Sequence, residues 1–198
     1  MPAAQRRAAF LDRDGVINID HGYVFRRDDF AFVPGALRAC AALHDLGLAL
    51  VVVSNQSGIG RGLYSEADYQ RLTAWMAGEF AAAGAPLAGA YHCPHHPQAL
   101  LAGYRRACDC RKPAPGMLLA AARELSLDLD LSVLFGDKDS DIEAAAAAGV
   151  PHRVLLGTDG HTAPPAVRAP QATACFASLA DAMTSAPLRS ALGECAHA

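Results

Sequence analysis

Two aspartates at positions i and i+2 follow the first apolar segment of this 198-residue sequence. Asp12 and Asp14 belong to the motif Asp12-Arg13-Asp14-Gly15, which ends a predicted strand at residues 8–12. Two carboxylates at this spacing can share a hard cation, and they can supply both a nucleophile and an acid–base group. A solvated turn with Gly15 at a positive φ would show the same four residues. The motif alone therefore does not distinguish a catalytic site from a turn, and the other motifs of the sequence have to be considered with it.

Two other polar segments offer groups that bind phosphate. The apolar residues 51–53 lead into the turn SNQSG at residues 54–58, and the hydroxyl and backbone N–H groups of such a turn suit a phosphate oxygen. Lys112 precedes a predicted helix, where it adds a point charge to the positive end of the helix dipole. A simple loop and a surface lysine are the plain alternatives. These alternatives are disfavoured because the two segments are expected to lie close to Asp12.

A third carboxylate follows a later apolar segment. Residues 133–135 lead through a glycine to Asp137, and Asp141 lies four residues further on. Mg²⁺ in proteins is usually held by one or two carboxylates together with substrate phosphate and water. Asp12 and Asp137 would suit such a site, whereas Asp141 could be either a further ligand or a cap of the next helix.

Three of the six cysteines lie within 18 residues, next to histidines. The pattern is Cys93-x-His95, twelve intervening residues, then Cys108-x-Cys110. Four nitrogen and sulfur ligands in two pairs are typical of a closed tetrahedral zinc site, which is structural because it has no open position. Three other histidines are either alternative ligands in place of His95 or residues without a functional role: His44, His92 and His96.

Zinc at this position would fix the chain that follows it. Arg111 and Lys112 come directly after Cys110, so the metal would hold both cations in place. The remaining cysteines are expected to stay outside the site, one in a helix core and two as free thiols: Cys40, Cys175 and Cys195.

Apolar periodicity predicts that strands and helices alternate along the chain. Strands are expected near residues 8–12, 48–53, 88–92, 132–135 and 153–156, and helices near 34–46, 65–83, 115–125 and 140–148. This order is typical of an α/β fold, in which helices cover both faces of a parallel sheet and ligands bind outside the carboxyl ends of the strands. The polar motifs should therefore meet at one edge of the sheet.

Two connections are longer than the alternation requires, namely residues 13–33 and 93–111. Connections of this length are usually functional. No large cap domain is expected, because residues 13–50 hold only one long loop and one helix before the second strand is complete. We expect one domain over residues 1–198, with a zinc loop at 93–111 and a peripheral C-terminal segment from about residue 158.

Composition and charge argue against several classes of protein. The chain has 17 basic and 20 acidic residues, a net charge of −3, which disfavours a nucleic-acid partner. Its longest strongly apolar run, residues 46–53, is far shorter than the roughly 20 residues of a membrane span, and no signal-peptide pattern opens the chain. We expect a cytoplasmic monomer with a small-molecule partner and no membrane partner.

Taken together, the motifs resemble the four motifs of the haloacid-dehalogenase superfamily of phosphatases, in the same order. They are Phe10-Leu11-Asp12-Arg13-Asp14-Gly15, Ser54-Asn55-Gln56, Lys112-Pro113 and Gly136-Asp137-x-x-x-Asp141. The zinc loop, with CPHHPQ at 93–98 and CDCRKP at 108–113, resembles that of heptose 1,7-bisphosphate 7-phosphatases and histidinol-phosphate phosphatases. Segments 20–23, 54–62 and 115–119 are similar to the heptose enzymes in particular. The resemblance covers residues 8–156 and implies a three-layer Rossmann-like haloacid-dehalogenase fold.

The resemblance also implies roles for individual residues. Asp12 would be the nucleophile that becomes an aspartyl-phosphate, and Asp14 would be the acid and base. Ser54 and Lys112 would stabilise the phosphoryl group. Mg²⁺ would be held by the Asp12 carboxylate, the Asp14 backbone carbonyl and Asp137. The sugar and its second phosphate would be contacted by Asp20, His21, Gly22, Tyr23, Asn55, Gln56, Ser57, Arg111 and Lys138.

The activity that the resemblance implies is Mg²⁺-dependent removal of the 7-phosphate of D-glycero-D-manno-heptose 1,7-bisphosphate. The product, heptose 1-phosphate, would serve ADP- or GDP-heptose synthesis for lipopolysaccharide core or a cell-surface glycan. A histidinol-phosphate phosphatase is the alternative, and it would lack the 20–23 segment. A DNA 3′-phosphatase is disfavoured by the net charge of −3. A binding module without activity is disfavoured because no catalytic motif is damaged.

Overall fold

The computed structural model describes residues 6–157 and 169–193. Six parallel strands form one sheet in the order β3-β2-β1-β4-β5-β6. The strands are β1 (Ala8–Leu11), β2 (Ala49–Asn55), β3 (Leu87–Cys93), β4 (Val133–Gly136), β5 (His152–Leu156) and β6 (Ala174–Phe176). The helices are α1 (Ala36–Asp45), α2 (Ser57–Gly60), α3 (Glu66–Ala82), α4 (Gly116–Leu125), α5 (Asp139–Ala147), α6 (Leu179–Ala182) and α7 (Ala186–Ala191).

The central strands bury side chains on both faces of the sheet. Along β1, Ala9 and Leu11 belong to one apolar layer, and Ala8 and Phe10 belong to the other. Helices α1 and α3 pack on the first layer, whereas α4 and α5 pack on the second. The period of two along a strand makes this possible, because successive side chains point to opposite faces. The predicted three-layer α/β arrangement is confirmed.

The register of the parallel strands aligns their carboxyl ends. Leu11 pairs with Val52 on one side and with Phe135 on the other. The backbone N–H of Asp12 then donates to the carbonyl of Phe135 at 3.0 Å. The residues that follow β1, β2 and β4 consequently emerge at the same edge, where the sequence motifs were expected to meet.

The connection between β1 and β2 lies entirely within the described residues, and it contains no inserted domain. It consists of a long loop with one short 3₁₀ turn (Arg27–Asp29), followed by α1. The edge of the sheet beyond Asp12 is therefore not covered by a cap, as predicted. Among the described residues, no helix is long and apolar enough to cross a membrane.

The C-terminal segment contributes more than the peripheral role expected of residues 158–198. In its described part, β6 extends the sheet beyond β5, although the sequence predicted that β5 would be the last strand. Apolar residues of α6 and α7 join the core layer that α1 covers, among them Leu179 and Leu188. A three-residue strand gives too short a pattern to detect by periodicity. Cys195 lies outside the described residues.

Candidate active site

Asp12 and Lys112 form a buried ion pair at the end of β1. The Lys112 Nζ lies 3.0 Å from Asp12 Oδ1, and that oxygen also accepts the backbone N–H of Arg13 at 2.8 Å. Burial raises the pKa of Asp12, and the positive charge of Lys112 opposes that rise without cancelling it. The carboxylate is therefore held in a dry position beside one fixed positive charge.

Lys112 has two further partners besides Asp12. Its Nζ lies 2.6 Å from Asp141 Oδ1 and 2.8 Å from the carbonyl of Val53. Burial by itself would lower the pKa of Lys112, but the charges of Asp12 and Asp141 raise it above its ordinary value. The ammonium thus remains charged at any working pH.

Asp141 makes two kinds of contact, and one of them is the helix cap that was expected from the sequence as an alternative to a ligand role. One carboxylate oxygen pairs with Lys112, and the other accepts the backbone N–H groups of Asp137 and Lys138 at 3.2 and 3.0 Å. These two N–H groups lie at the start of α5, so Asp141 caps the helix. Asp141 also lies with Asp12 and Asp137 in a group of three carboxylates whose oxygens are close enough to hold a metal ion.

Asp137 is a buried carboxylate with an unused oxygen. Its Oδ1 has no hydrogen-bond partner among the described residues, and carboxylate oxygens of Asp12, Asp137 and Asp141 lie within 4.8 Å of one another. Burial raises the pKa of Asp137 to about 8, and the charge of Asp12 adds to the rise. A divalent cation would relieve this clustering of negative charge, so the residues present fit Mg²⁺.

Gly15 lets the Asp12–Asp14 turn approach Asp137 closely. It has a φ of +90°, and a Cβ at this position would stand 2.4 Å from Asp137 Oδ2. Any other residue would be strained there and would also clash with the carboxylate. The turn at residues 12–15 and the end of β4 are thus packed together, as a shared metal site requires.

The Asp14 carboxylate does not belong to the group of three carboxylates that could hold a metal ion, and it is surrounded by donors. Arg13 is almost wholly buried, and its Nη2 contacts Asp14 Oδ1 and Oδ2 at 2.8 and 2.9 Å. Asn18 Nδ2 donates to Oδ1 at 3.1 Å, and Gln56 Nε2 donates to Oδ2 at 3.0 Å. Asp14 therefore has a fixed position, with its carboxylate held separately from the Asp12 carboxylate.

Ser54 and Asn55 stand at the end of β2 and make different contacts. The Ser54 hydroxyl is buried and accepts a hydrogen bond of 2.7 Å from Gln56 Nε2. The Asn55 side chain exchanges two hydrogen bonds of 3.1 Å with the backbone N–H and carbonyl of Lys112. Asn55, predicted as a sugar contact, thus holds the lysine segment in place.

A crevice of about 550 Å³ opens beside these residues. It is bounded by Asp14 and Lys112 and by most of the predicted substrate contacts, namely Asp20, Gly22, Tyr23, Asn55, Gln56, Ser57, Arg111 and Lys138. His21 is the exception: it is exposed and borders a neighbouring depression with Phe25 and Leu63. Lys138, about half exposed, reaches across toward Asp20 Oδ2 at 3.4 Å.

The Cys/His motif forms a compact donor group beside the crevice. Ligand atoms of Cys93, His95, Cys108 and Cys110 lie within 4.8 Å of one another, and the three sulfur atoms are 3.0–3.5 Å apart. Tetrahedral zinc with bonds of about 2.3 Å would place its sulfur ligands roughly 3.8 Å apart. The residues therefore fit zinc after a small expansion. His96 accepts the N–H of Gln98 instead and does not join the group.

Several residues that support the site were not singled out from the sequence. Arg13 and Asn18 bind Asp14, and the Tyr64 hydroxyl donates to Gln56 Oε1 at 2.5 Å. Arg13 lies inside a recognised motif, where a buried arginine between two aspartates could have signalled an ion pair. Tyr64 carried no such signal, because its partner Gln56 is found only when the turn after β2 is folded.

Comparison with known proteins agrees with this geometry. A family model described as HAD-hyrolase-like matches residues 109–182. A Photorhabdus laumondii protein named D-glycero-beta-D-manno-heptose-1,7-bisphosphate 7-phosphatase is 52% identical over 151 residues, which cover 76% of this chain and 80% of that protein. The Escherichia coli K12 protein of the same name is 49% identical over 162 residues, 82% of this chain and 85% of that protein.

The chain belongs to the D-glycero-β-D-manno-heptose-1,7-bisphosphate 7-phosphatase family.

A solved structure of the same kind extends the agreement to three dimensions. The D,D-heptose 1,7-bisphosphate phosphatase from B. bronchiseptica, in complex with magnesium and phosphate, matches with a TM-score of 0.78 and 33% identity. The match covers 90% of this chain and 96% of that one. The predicted haloacid-dehalogenase fold is confirmed, as is the assignment to a heptose bisphosphate phosphatase family of phosphoric monoester hydrolases.

Proposed function

We propose that this chain removes the 7-phosphate from D-glycero-β-D-manno-heptose 1,7-bisphosphate. The observation that carries the proposal is the arrangement at the sheet edge: Asp12 is paired with a buried lysine, and Asp14 is held separately by neutral and cationic donors. This arrangement belongs to a chain about half identical to enzymes of that name. The β configuration is the one in the names of these relatives.

The first chemical step is attack by Asp12. Among the described residues, its protein donors fall on Oδ1, which leaves Oδ2 to attack phosphorus. A bond forms between this oxygen and phosphorus, and the bond from phosphorus to the sugar oxygen breaks. Asp14, in its protonated form, gives a proton to the departing alkoxide. The products are an aspartyl-phosphate and heptose 1-phosphate.

The second step releases phosphate. Asp14, now ionised, takes a proton from a water molecule that attacks the phosphorus, and the Asp12 carboxylate leaves. Division of hydrolysis into two displacements lets one carboxyl group act first as an acid and then as a base. The donors around Asp14 fix its position, so the same group can serve both steps.

Charge neutralisation is the other requirement of phosphoryl transfer. Lys112 carries a permanent positive charge 3.0 Å from the nucleophile, and the Ser54 hydroxyl can donate to a phosphoryl oxygen. Mg²⁺ would be held by Asp12, Asp137 and the backbone carbonyl of Asp14, and when bound it would supply positive charge to the transferring group.

The crevice offers positive charge for a second phosphate. Arg111 and Lys138 both border it, and a guanidinium binds phosphate in a bidentate way. A bisphosphate would use both charges, whereas histidinol phosphate has only one phosphate group. We therefore propose that Arg111 and Lys138 bind the substrate's distal end with the help of Asp20 and Tyr23.

The zinc loop is proposed to bind one structural Zn²⁺ through Cys93, His95, Cys108 and Cys110. Arg111 donates to the carbonyl of His95 at 3.3 Å, so the loop contacts the substrate-binding arginine directly. We propose further that the enzyme acts in the cytoplasm as a monomer, without nucleic acid or membrane partners. Its product would feed ADP- or GDP-heptose synthesis for lipopolysaccharide core or a surface glycan.

A phosphate-release screen tests the function. The purified chain, supplied with Mg²⁺, is offered both anomers of the heptose bisphosphate, other sugar bisphosphates and histidinol phosphate. We expect the β-heptose bisphosphate to give the highest kcat/KM and the Asp12→Asn variant to give no turnover. A preference for histidinol phosphate would refute the proposed substrate, and full activity of Asp12→Asn would refute the proposed nucleophile.

A further inference from the structure

Tyr64 is connected to both Asp14 and Ser54 through a single amide, and among the described residues it forms no hydrogen bond with either of them. Its hydroxyl donates to Gln56 Oε1 at 2.5 Å. The Nε2 of the same amide donates to Asp14 Oδ2 at 3.0 Å and to Ser54 Oγ at 2.7 Å. The two amide hydrogens thus serve the proposed acid–base group and the proposed phosphate-binding hydroxyl at once.

The direction of these hydrogen bonds affects both groups. Because Ser54 Oγ accepts from Gln56, the hydroxyl's own proton is free for a phosphoryl oxygen. Because Asp14 Oδ2 also accepts from Gln56, a proton on Asp14 is not drawn toward the amide and is available to a leaving group. With the amide turned over, the carbonyl oxygen of Gln56 would accept the proton of Ser54 or Asp14 and withdraw it from the substrate.

The Tyr64 hydroxyl favours the observed orientation of the amide. Burial raises its pKa, so it stays protonated and remains a donor. Among the described residues its only hydrogen-bond partner is Gln56, and an overturned amide would leave this buried O–H without an acceptor. Without the hydroxyl, the observed orientation would instead leave Gln56 Oε1 without a donor. The orientation of the amide would then depend on Asp14 and Ser54 alone.

The Tyr64 ring is itself fixed by its surroundings. The side chain is buried and stacks on Phe25 with ring centroids 5.0 Å apart and planes inclined by 12°. On another side lies Gly58, where a Cβ would stand 2.1 Å from the ring. A side chain at position 58 would displace the ring. The glycine therefore leaves the space that the Tyr64 ring occupies beside Gln56.

We propose that Tyr64 is a positioning residue that orients the Gln56 amide, and through it keeps the protons of Asp14 and Ser54 available to the substrate. The proposal rests on the proposed function, since it assigns Asp14 and Ser54 their roles in phosphoryl transfer. It also gives Gln56, which the sequence marked as a substrate contact, a role within the catalytic machinery.

A double-mutant cycle tests whether Tyr64 acts through Gln56. In the otherwise wild-type enzyme, Tyr64→Phe should lower kcat about tenfold with little change in KM, an effect the size of one lost buried hydrogen bond. Gln56→Met should lower kcat roughly 100-fold, the lower end of the range for acid–base catalysis. In the Gln56→Met background, Tyr64→Phe should cost no more than about twofold further. An equal cost in both backgrounds would overturn the proposal.

Tyr69→Phe is the matched control for the loss of a buried tyrosine hydroxyl. Tyr69 is buried in the same small apolar group as Tyr64, but its hydroxyl neighbours Thr73. This variant should keep the wild-type kcat. If Tyr69→Phe and Tyr64→Phe lowered kcat equally, the effect would be one of packing and the proposal would be wrong.

A second measurement uses leaving groups of different basicity. The p-nitrophenolate ion departs without a proton, whereas the sugar alkoxide needs one from Asp14. Tyr64→Phe should therefore lower kcat/KM more for the heptose bisphosphate than for p-nitrophenyl phosphate, and equal losses would refute action through Asp14. If the wild-type enzyme hydrolysed p-nitrophenyl phosphate but not the heptose bisphosphate, the proposed function would be refuted. The double-mutant cycle measured with p-nitrophenyl phosphate would still test the link between Tyr64 and Gln56.

Discussion

Replacement of Asp141 by Asn should destabilise the protein because one amide cannot replace both carboxylate oxygens. Asp141 Oδ1 forms an ion pair with Lys112 Nζ, and Oδ2 accepts two backbone N–H groups at the start of α5. The Asn side chain has one acceptor and one donor group. In either orientation its NH₂ would face donors, either the Lys112 ammonium or the two N–H groups.

The size of the effect follows from which contacts survive. A hydrogen bond to a charged group contributes about 1.5–3 kcal/mol, and a helix cap contributes about 0.5–2 kcal/mol. Lys112 keeps Asp12 and the carbonyl of Val53, so it is not left without partners. We expect Asp141→Asn to lower the free energy of unfolding by about 2 kcal/mol, which for a chain of this length is roughly 4–8 °C in Tm.

Urea unfolding of the zinc-loaded protein without Mg²⁺ at pH 7 measures this change, with Asp139→Asn as the control. Asp139 lies in the first turn of the same helix but is exposed, so its substitution should change the free energy of unfolding by less than about 0.5 kcal/mol. The midpoint for Asp141→Asn should fall while the slope m stays constant. A loss no larger than that of Asp139→Asn would refute the double role of Asp141.

Three other predictions concern the metals and the lysine segment. Because burial and the charge of Asp12 raise the pKa of Asp137 to about 8, well above its ordinary 3.8, we expect Mg²⁺ to compete with a proton for this carboxylate. Calorimetric titration should therefore show that the affinity for Mg²⁺ rises with pH up to about 8. Without Mg²⁺, the free energy of unfolding should fall as pH rises from about 4 to about 8. An affinity for Mg²⁺ that does not change with pH would contradict this prediction. Elemental analysis should find about one zinc per chain and little in Cys108→Ser/Cys110→Ser, whereas full retention would exclude these ligands. Asn55→Ala, which removes both bonds to the Lys112 backbone, should lower the free energy of unfolding by about 1–2 kcal/mol in urea, and no change would show that the lysine segment is held by other contacts.

The sequence alone located the reactive edge because its signals are local. A buried strand appears as a short apolar run, and its carboxyl end is marked by the first polar residues after it. Parallel strands bring such ends together regardless of the distance between them in the chain. Asp12, Asp137 and Lys112 were placed near one another on this basis, and the donors of the Cys/His motif were grouped by their spacing.

Tertiary structure decided what the individual side chains do at that edge. Asn55 binds the backbone of Lys112, 57 residues away, and Gln56 joins Asp14, 42 residues away, to Tyr64. A polar side chain in a turn has several possible partners, and the choice depends on which distant segments pack against the turn. The residue types and the alternation of strands and helices fixed where chemistry could occur. The orientation of each donor and acceptor was fixed only by contacts between segments far apart in the chain.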